Sequence, residues 1–156
     1  MAKQKSSNGF WRFLLLLYCA VMLWLLFGRS SGWVAGLSYE THLQQNANLQ
    51  PLFTIRNYLY ALQFSSNEAL RRHCLINLAG NIFLFIPAGW LFPTVWPRLG
   101  NFFRFFALSL GLIFLVESVQ LFTLLGSFDV DDVILNLSGM TLGHILHAIV
   151  CTQKKD

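Results

Sequence analysis

Four long runs almost free of charge, inside a chain of 156 residues, constrain what this sequence can fold into more than any other feature. Phe13 to Gly28 is uncharged and follows Lys3, Lys5 and Arg12. His73 to Pro97 contains no Asp, Glu, Lys or Arg. Phe105 to Leu125 holds a single charge, Glu117, and Val133 to Thr152 holds none. A hydrocarbon core of ~30 Å takes about 20 helical residues; three runs reach that length by themselves, and the first does so with Phe10 and Trp11 at its interface end. Charged residues are 12% of the chain and apolar residues 55%; a soluble domain this small has no core large enough to hide that much apolar surface. The sequence predicts an all-α, polytopic membrane bundle of four transmembrane helices. The spans cover about 10–28, 74–93, 104–125 and 132–151, in one domain over 1–156.

The formal charge of +4 does not point to nucleic acid. The bases sit beside the apolar runs and form no stripe with interleaved aromatics. Cys19, Cys74 and Cys151 are far apart and suggest neither a disulfide framework nor a metal site. No small-x-small cleavage pattern follows the first run, which therefore reads as a signal anchor. With both termini cytoplasmic, Lys3, Lys5, Arg12, Arg98, Arg104, Lys154 and Lys155 fall inside, and Arg29, Arg56, Arg71 and Arg72 outside. That asymmetry favours a multi-pass protein of a plasma membrane with both ends inside. The first outer loop is long. Its segment from Pro51 to Phe64 is apolar at 52, 55, 59 and 62, a helical stripe with Pro51 suited to the first helical position. A short interfacial helix and a plain loop both fit it.

Polar residues inside apolar spans carry the functional signal. Asn77 and Asn81 are four apart and share a helical face, as do Glu117 and Gln120, three apart. The fourth span opens on Asp129, Asp131 and Asp132, with Asn136 four residues after Asp132. At ~1.5 Å rise per residue, Asn81 and Glu117 lie on the order of 10 Å below the outer surface, with Asn77, Gln120 and Asn136 shallower. Three helices thus bring polar groups to matching depth. An intramembrane carboxylate costs ~2.5–3.5 kcal/mol near the centre unless paired or hydrated. Arg71 and Arg72, on the side the topology rule disfavours, are expected to reach Glu117 or an Asp. Capping of the fourth helix is the competing role for one of the acids. Gly139 with Gly143, and Ala107 with Gly111, read as close helix packing. Pro87 is expected to kink the second span. His144 and His147 lie away from any carboxylate and read as packing residues.

The motifs resemble one family. Asn77-Leu-Ala-Gly-Asn-Ile-Phe-Leu-Phe-Ile-Pro-Ala-Gly89, Glu117-Ser-Val-Gln120 and Gly126-Ser-Phe-Asp-Val-Asp-Asp-Val-Ile-Leu-Asn-Leu-Ser-Gly139 are similar to the VanZ-like family. Asn48-Leu-Gln-Pro-Leu-Phe-Thr-Ile55 resembles its segment in the first outer loop. The resemblance covers about 46–146 and implies a bacterial plasma-membrane protein, linked in the founding member to teicoplanin resistance. Kinship with enzymes that exchange or remove lipid head groups is an analogy. Two readings follow. In the first, a lipid head-group hydrolase or transferase acts on a membrane lipid or lipid-linked cell-wall precursor. Glu117, Asp132 and Asp129 would be its catalytic groups, and Arg71, Arg72, Asn77, Asn81, Gln120, Asp131 and Asn136 its substrate contacts. The three Asp could hold a divalent cation such as Mg²⁺ or Ca²⁺. In the second, the same pocket binds a lipid or lipoglycopeptide, or scaffolds an envelope complex, without catalysis.

Overall fold

A computed structural model describes residues 2–28 and 36–153, with side chains over 9–28 and 36–151. Lys3, Lys5, Arg29, Lys154 and Lys155 of the charge asymmetry have side chains outside that set. Seven α-helices run in chain order: α1 (Ala2–Phe27), α2 (Tyr39–Gln45), α3 (Phe53–Phe64), α4 (Glu68–Phe83), α5 (Ile86–Val95), α6 (Phe102–Thr123) and α7 (Val130–Gln153). Two two-residue strands, β1 (Ala47–Asn48) and β2 (Phe128–Asp129), pair in parallel. Four stretches are long and apolar enough to cross a membrane: Gly9–Phe27, Glu68–Val95, Phe102–Thr123 and Val130–Cys151. The all-α bundle read from the sequence is the observed one.

The second span is two helices. Pro87 has no N–H to continue the ladder, and the chain breaks at Leu84 and Phe85 between α4 and α5. The Tyr18 hydroxyl of α1 donates to the Leu84 carbonyl at the break, 2.8 Å away. With 28 residues this span is longer than a hydrocarbon core requires. The charges of this span, Glu68, Arg71 and Arg72, all lie in the first turns of α4, and Arg71, Arg72 and His73 are exposed there.

Helix α7 lies against α4 and α5 through glycines. A Cβ at Gly139 would overlap the Ile82 carbonyl, one at Gly143 the Ile86 carbonyl, and one at Gly89 the Met140 carbonyl. Lipid tails are as apolar as the helices, so close backbone approach replaces the hydrophobic effect as the packing force. The expected pairing of Gly139 with Gly143 is thus in use. The other expected pair is not: Ala107 is exposed and Gly111 faces open space. Phe85, Ala88, Phe105, Ile113 and Met140 form the buried apolar centre, with Met22 joining from α1.

The segment between the first two spans folds back on the bundle. The Tyr39 hydroxyl donates to the Phe122 carbonyl at 2.9 Å, and Phe128 N–H donates to the Asn46 carbonyl at 2.8 Å. Ala47 pairs with Phe128 and Asn48 with Asp129. Of the two alternatives for the loop the helix is the observed one, α3, but it begins at Phe53 and not at Pro51, after Leu52 in the left-handed region at φ 64°. None of its residues is buried, and Phe53, Leu59, Tyr60 and Phe64 remain exposed. An apolar, aromatic-rich helix of this kind suits the membrane interface.

Candidate functional site

The site forms where α4, α6 and the start of α7 meet beneath the folded-back segment. Asn81 on α4 donates its amide to Asp132 Oδ1 on α7. One turn further along α7, Asn136 Nδ2 donates to Glu117 Oε1 on α6 at 3.4 Å. Glu117 is 3% exposed and Asn136 2%. Asp132 and Asn81 are half-buried and form the outer layer; Glu117 and Asn136 lie behind them. Asp132 and Asp129 are within Coulombic reach of Glu117. The helical faces read from the sequence therefore converge for Asn81, Glu117, Asp132 and Asn136. Asn77 lies one turn before Asn81 on α4, half-buried.

The other two acids are built into the fold. Asp129 precedes α7 and accepts from Asp131 N–H at 2.8 Å, which caps that helix. It also accepts from the Thr54 hydroxyl at 2.6 Å and from the Asn48 amide at 3.3 Å. Asp131 is fully buried and accepts from Leu52 N–H at 2.5 Å and Ile55 N–H at 3.0 Å. One acid thus caps its own helix and the next caps α3 from a distance. With their oxygens so engaged, Asp129, Asp131 and Asp132 do not converge as a ligand set, and no group of three metal-ligating side chains occurs among the described residues.

Two sequence expectations change here. Arg71 and Arg72 are exposed in the first turns of α4, and among the described residues neither forms an ion pair with Glu117 or an Asp. From Arg72 to Asn81 is nine residues, on the order of 14 Å of helix, beyond the reach the pairing needs. Gln120 does not join Glu117 either; its Nε2 donates to the Leu26 carbonyl at 2.9 Å and ties α6 to the end of α1. His144 and His147 pack as expected. His144 stacks on Phe105 at 4.3 Å between ring centres and bonds the Leu99 carbonyl at 3.0 Å, while His147 meets Trp90 edge-on at 5.6 Å.

The VanZ/LLP1 family model matches residues 14–151. The chain belongs to the VanZ/LLP1 family. No curated protein and no solved structure matches it. In this VanZ/LLP1 chain the match takes in the first candidate span from residue 14, the other three whole, the folded-back segment and every residue of the site.

Four residues near the VanZ/LLP1 site were missed in the sequence. Asn48 and Thr54 support Asp129, and the family-like segment Asn48 to Ile55 was the signal that could have found them. Tyr58 on α3 packs edge-on to His73, with ring centres 6.0 Å apart. Burial raises its phenol pKa, and the charges of Asp132, Cys74 and Asp129 act in the same direction. Its hydroxyl therefore stays protonated as a donor beside the site at any physiological pH. His42 on α2 is buried, and as a lone His in a polar loop it carried no pattern.

The trans-cap gives a direct prediction. Asp131→Ala removes a charged acceptor shared by two N–H groups, each such bond being worth ~1.5–3 kcal/mol. It also releases Leu52 from a left-handed conformation that costs roughly 1–2 kcal/mol. Hydrogen exchange over 47–64 is expected to lose protection by an order of magnitude or more, with α6 unchanged. Asp131→Asn, which keeps one acceptor oxygen, is expected to lose less.

Proposed function

We propose that this VanZ-family protein is a multi-pass protein of a bacterial plasma membrane, with both termini cytoplasmic, that binds and acts on the head group of a membrane lipid or lipid-linked envelope precursor. One observation carries the reading: the polar site adjoins an apolar cavity inside the span region. The cavity measures about 300 Å³ and is bounded by Tyr18, Met22 and Leu26 of α1, and by Ile113, Val116 and Met140. Ile113 and Val116 precede Glu117 by one turn and one residue, and Met140 follows Asn136 by one turn. That volume is at the lower end of ligand pockets, which run from ~300 to ~1,000 Å³. A molecule polar at one end and hydrocarbon along its length suits both parts.

In this reading Glu117 is the general base or nucleophile. Asn136 orients it and burial tunes it. Asp132, oriented by Asn81, is the second carboxyl group of the site. Asp129 and Asp131 act through the frame, by holding α3 and β1 over it. Arg71 and Arg72 are placed to meet lipid phosphates at the surface of the bundle. Altered head groups would change how a lipid-bearing glycopeptide such as teicoplanin meets the envelope.

Expression of the chain in a bacterial host is expected to alter the membrane head-group profile, measured by mass spectrometry, together with teicoplanin susceptibility. An unchanged profile and unchanged susceptibility in membranes that hold the folded protein would falsify the reading.

A further inference from the structure

Two atoms of the innermost pair of the site have no hydrogen-bond partner, although the Asp129 N–H lies close to the Glu117 carboxyl group. Asn136 Nδ2 bonds Glu117 Oε1, which leaves Glu117 Oε2 and Asn136 Oδ1 buried without a hydrogen bond. Both are acceptors. Buried acceptors without a donor are rare in folded proteins and call for an occupant that the protein does not itself supply.

Four carboxyl groups also gather here without a counter-ion among the described residues. Glu117 and Asp132 are close neighbours in the site, and Asp129 is within Coulombic reach of both. Asp129 and Asp131 are met only by neutral donors. Among the described residues no cation forms an ion pair with any of the four. The helix N-termini of α3 and α7 offset part of the charge on Asp131 and Asp129, at about half a unit each. Asp132, in the first turn of α7, shares that offset, and no cation stands beside Glu117 among the described residues. A phosphate placed between the Glu117 and Asp132 carboxyl groups would meet two acids, while the Asn81 and Asn136 amides are already engaged and the Tyr58 hydroxyl is the neutral donor beside them.

Resting on the lipid reading above, we infer that the head group taken by this site carries a primary ammonium, the group that supplies several N–H donors and a positive charge together. Asp132 and Asn81 are the half-buried members of the site, beside the buried Glu117 and Asn136. The phosphate of such a lipid stays outside these four residues, toward the exposed end of α4. The ligand class is an aminophospholipid, and an anionic or N-methylated head group fits less well because it lacks the charge or the donors.

The full-length protein, purified in detergent with EDTA present, can be titrated with phosphatidylethanolamine, phosphatidylcholine and phosphatidylglycerol of identical acyl chains, with bound lipid read by native mass spectrometry. Phosphatidylethanolamine is expected to bind at least tenfold more tightly than either of the others. Phosphatidylcholine keeps the positive charge and removes the N–H donors, so it separates the two contributions. Glu117→Gln is expected to reduce the preference at least threefold. Should that variant fail to fold, Asp132→Asn carries the same expectation, and the wild-type ranking stands without either. Equal or tighter binding of phosphatidylglycerol, in EDTA or with Mg²⁺ added, overturns the inference. If expression of the protein changes the head-group profile of the host while phosphatidylethanolamine shows no preference, the proposed function survives and the ammonium assignment fails.

Discussion

Glu117→Gln is expected to remove the effect of this protein on lipid head groups while leaving the protein folded. General acid–base catalysis by a placed side chain contributes roughly 10²–10⁴-fold, and a loss in that range is the expected result. The shape of the side chain is unchanged. Gln can still accept from the Asn136 amide through its oxygen, and its own amide offers a donor to Asn136 Oδ1, which has none in the wild type. Stability should therefore be equal or greater, because a buried acceptor gains a partner worth ~1–3 kcal/mol. The combination matters: activity falls and thermal stability does not. Turnover of head groups in proteoliposomes, beside a thermal unfolding curve, checks both. A scaffold or passive lipid binder would tolerate the change, so full retention of the cellular effect by a folded Glu117→Gln protein sinks the catalytic role and leaves the binding one.

The second large effect is on folding. Gly143→Val is expected to destabilise the bundle by about 3 kcal/mol or more, at or above the usual range for overpacking. Its Cβ would overlap the Ile86 carbonyl, and the neighbouring Gly89 Cα leaves no room to move aside. Backbone atoms cannot choose another rotamer, so α5 and α7 would have to separate. Separation would also displace Asn136, two turns earlier on α7, from Glu117. Gly111→Ala is the matched control, since Gly111 faces open space. There the substitution should be neutral or stabilising by up to ~1 kcal/mol, through helix propensity alone. Monodispersity in detergent and the unfolding midpoint report the difference. Similar midpoints for the two variants would mean that the glycine contact between α5 and α7 is not what holds the bundle.

How much of this was written in the sequence depends on the distance over which each constraint acts. The four spans were legible because the length of apolar chain needed to cross a bilayer is local. The break in the second span was legible for the same reason: Pro87 removes an N–H wherever the helix lies. Shared faces were legible at four-residue spacing for Asn77 with Asn81 and for Asp132 with Asn136, and matching depth assigned Glu117 to the same site before any contact was known. The three-residue spacing of Glu117 and Gln120 was less binding. At 3.6 residues per turn the two point about 60° apart, enough for Gln120 to meet α1 instead.

Other assignments needed the tertiary structure. Asp129 and Asp131 look like a cation or phosphate site in sequence, since a run of acids is the same string whether it binds a ligand or caps helices. Their partners Asn48, Leu52, Thr54 and Ile55 lie 75 or more residues earlier in the chain, and only the return of β1 to β2 brings them together. Arg71 and Arg72 precede an apolar run, which placed them at a membrane edge but could not say that they stand exposed at the start of α4, away from Glu117. The sequence by itself determined the helices, their spans and the faces that converge, because those follow from backbone geometry and the thickness of a hydrocarbon layer. Only the tertiary structure decided which carboxyl groups are engaged in the frame and which remain available, because hydrogen-bond donors are assigned by contacts across the fold and not by neighbours in the chain.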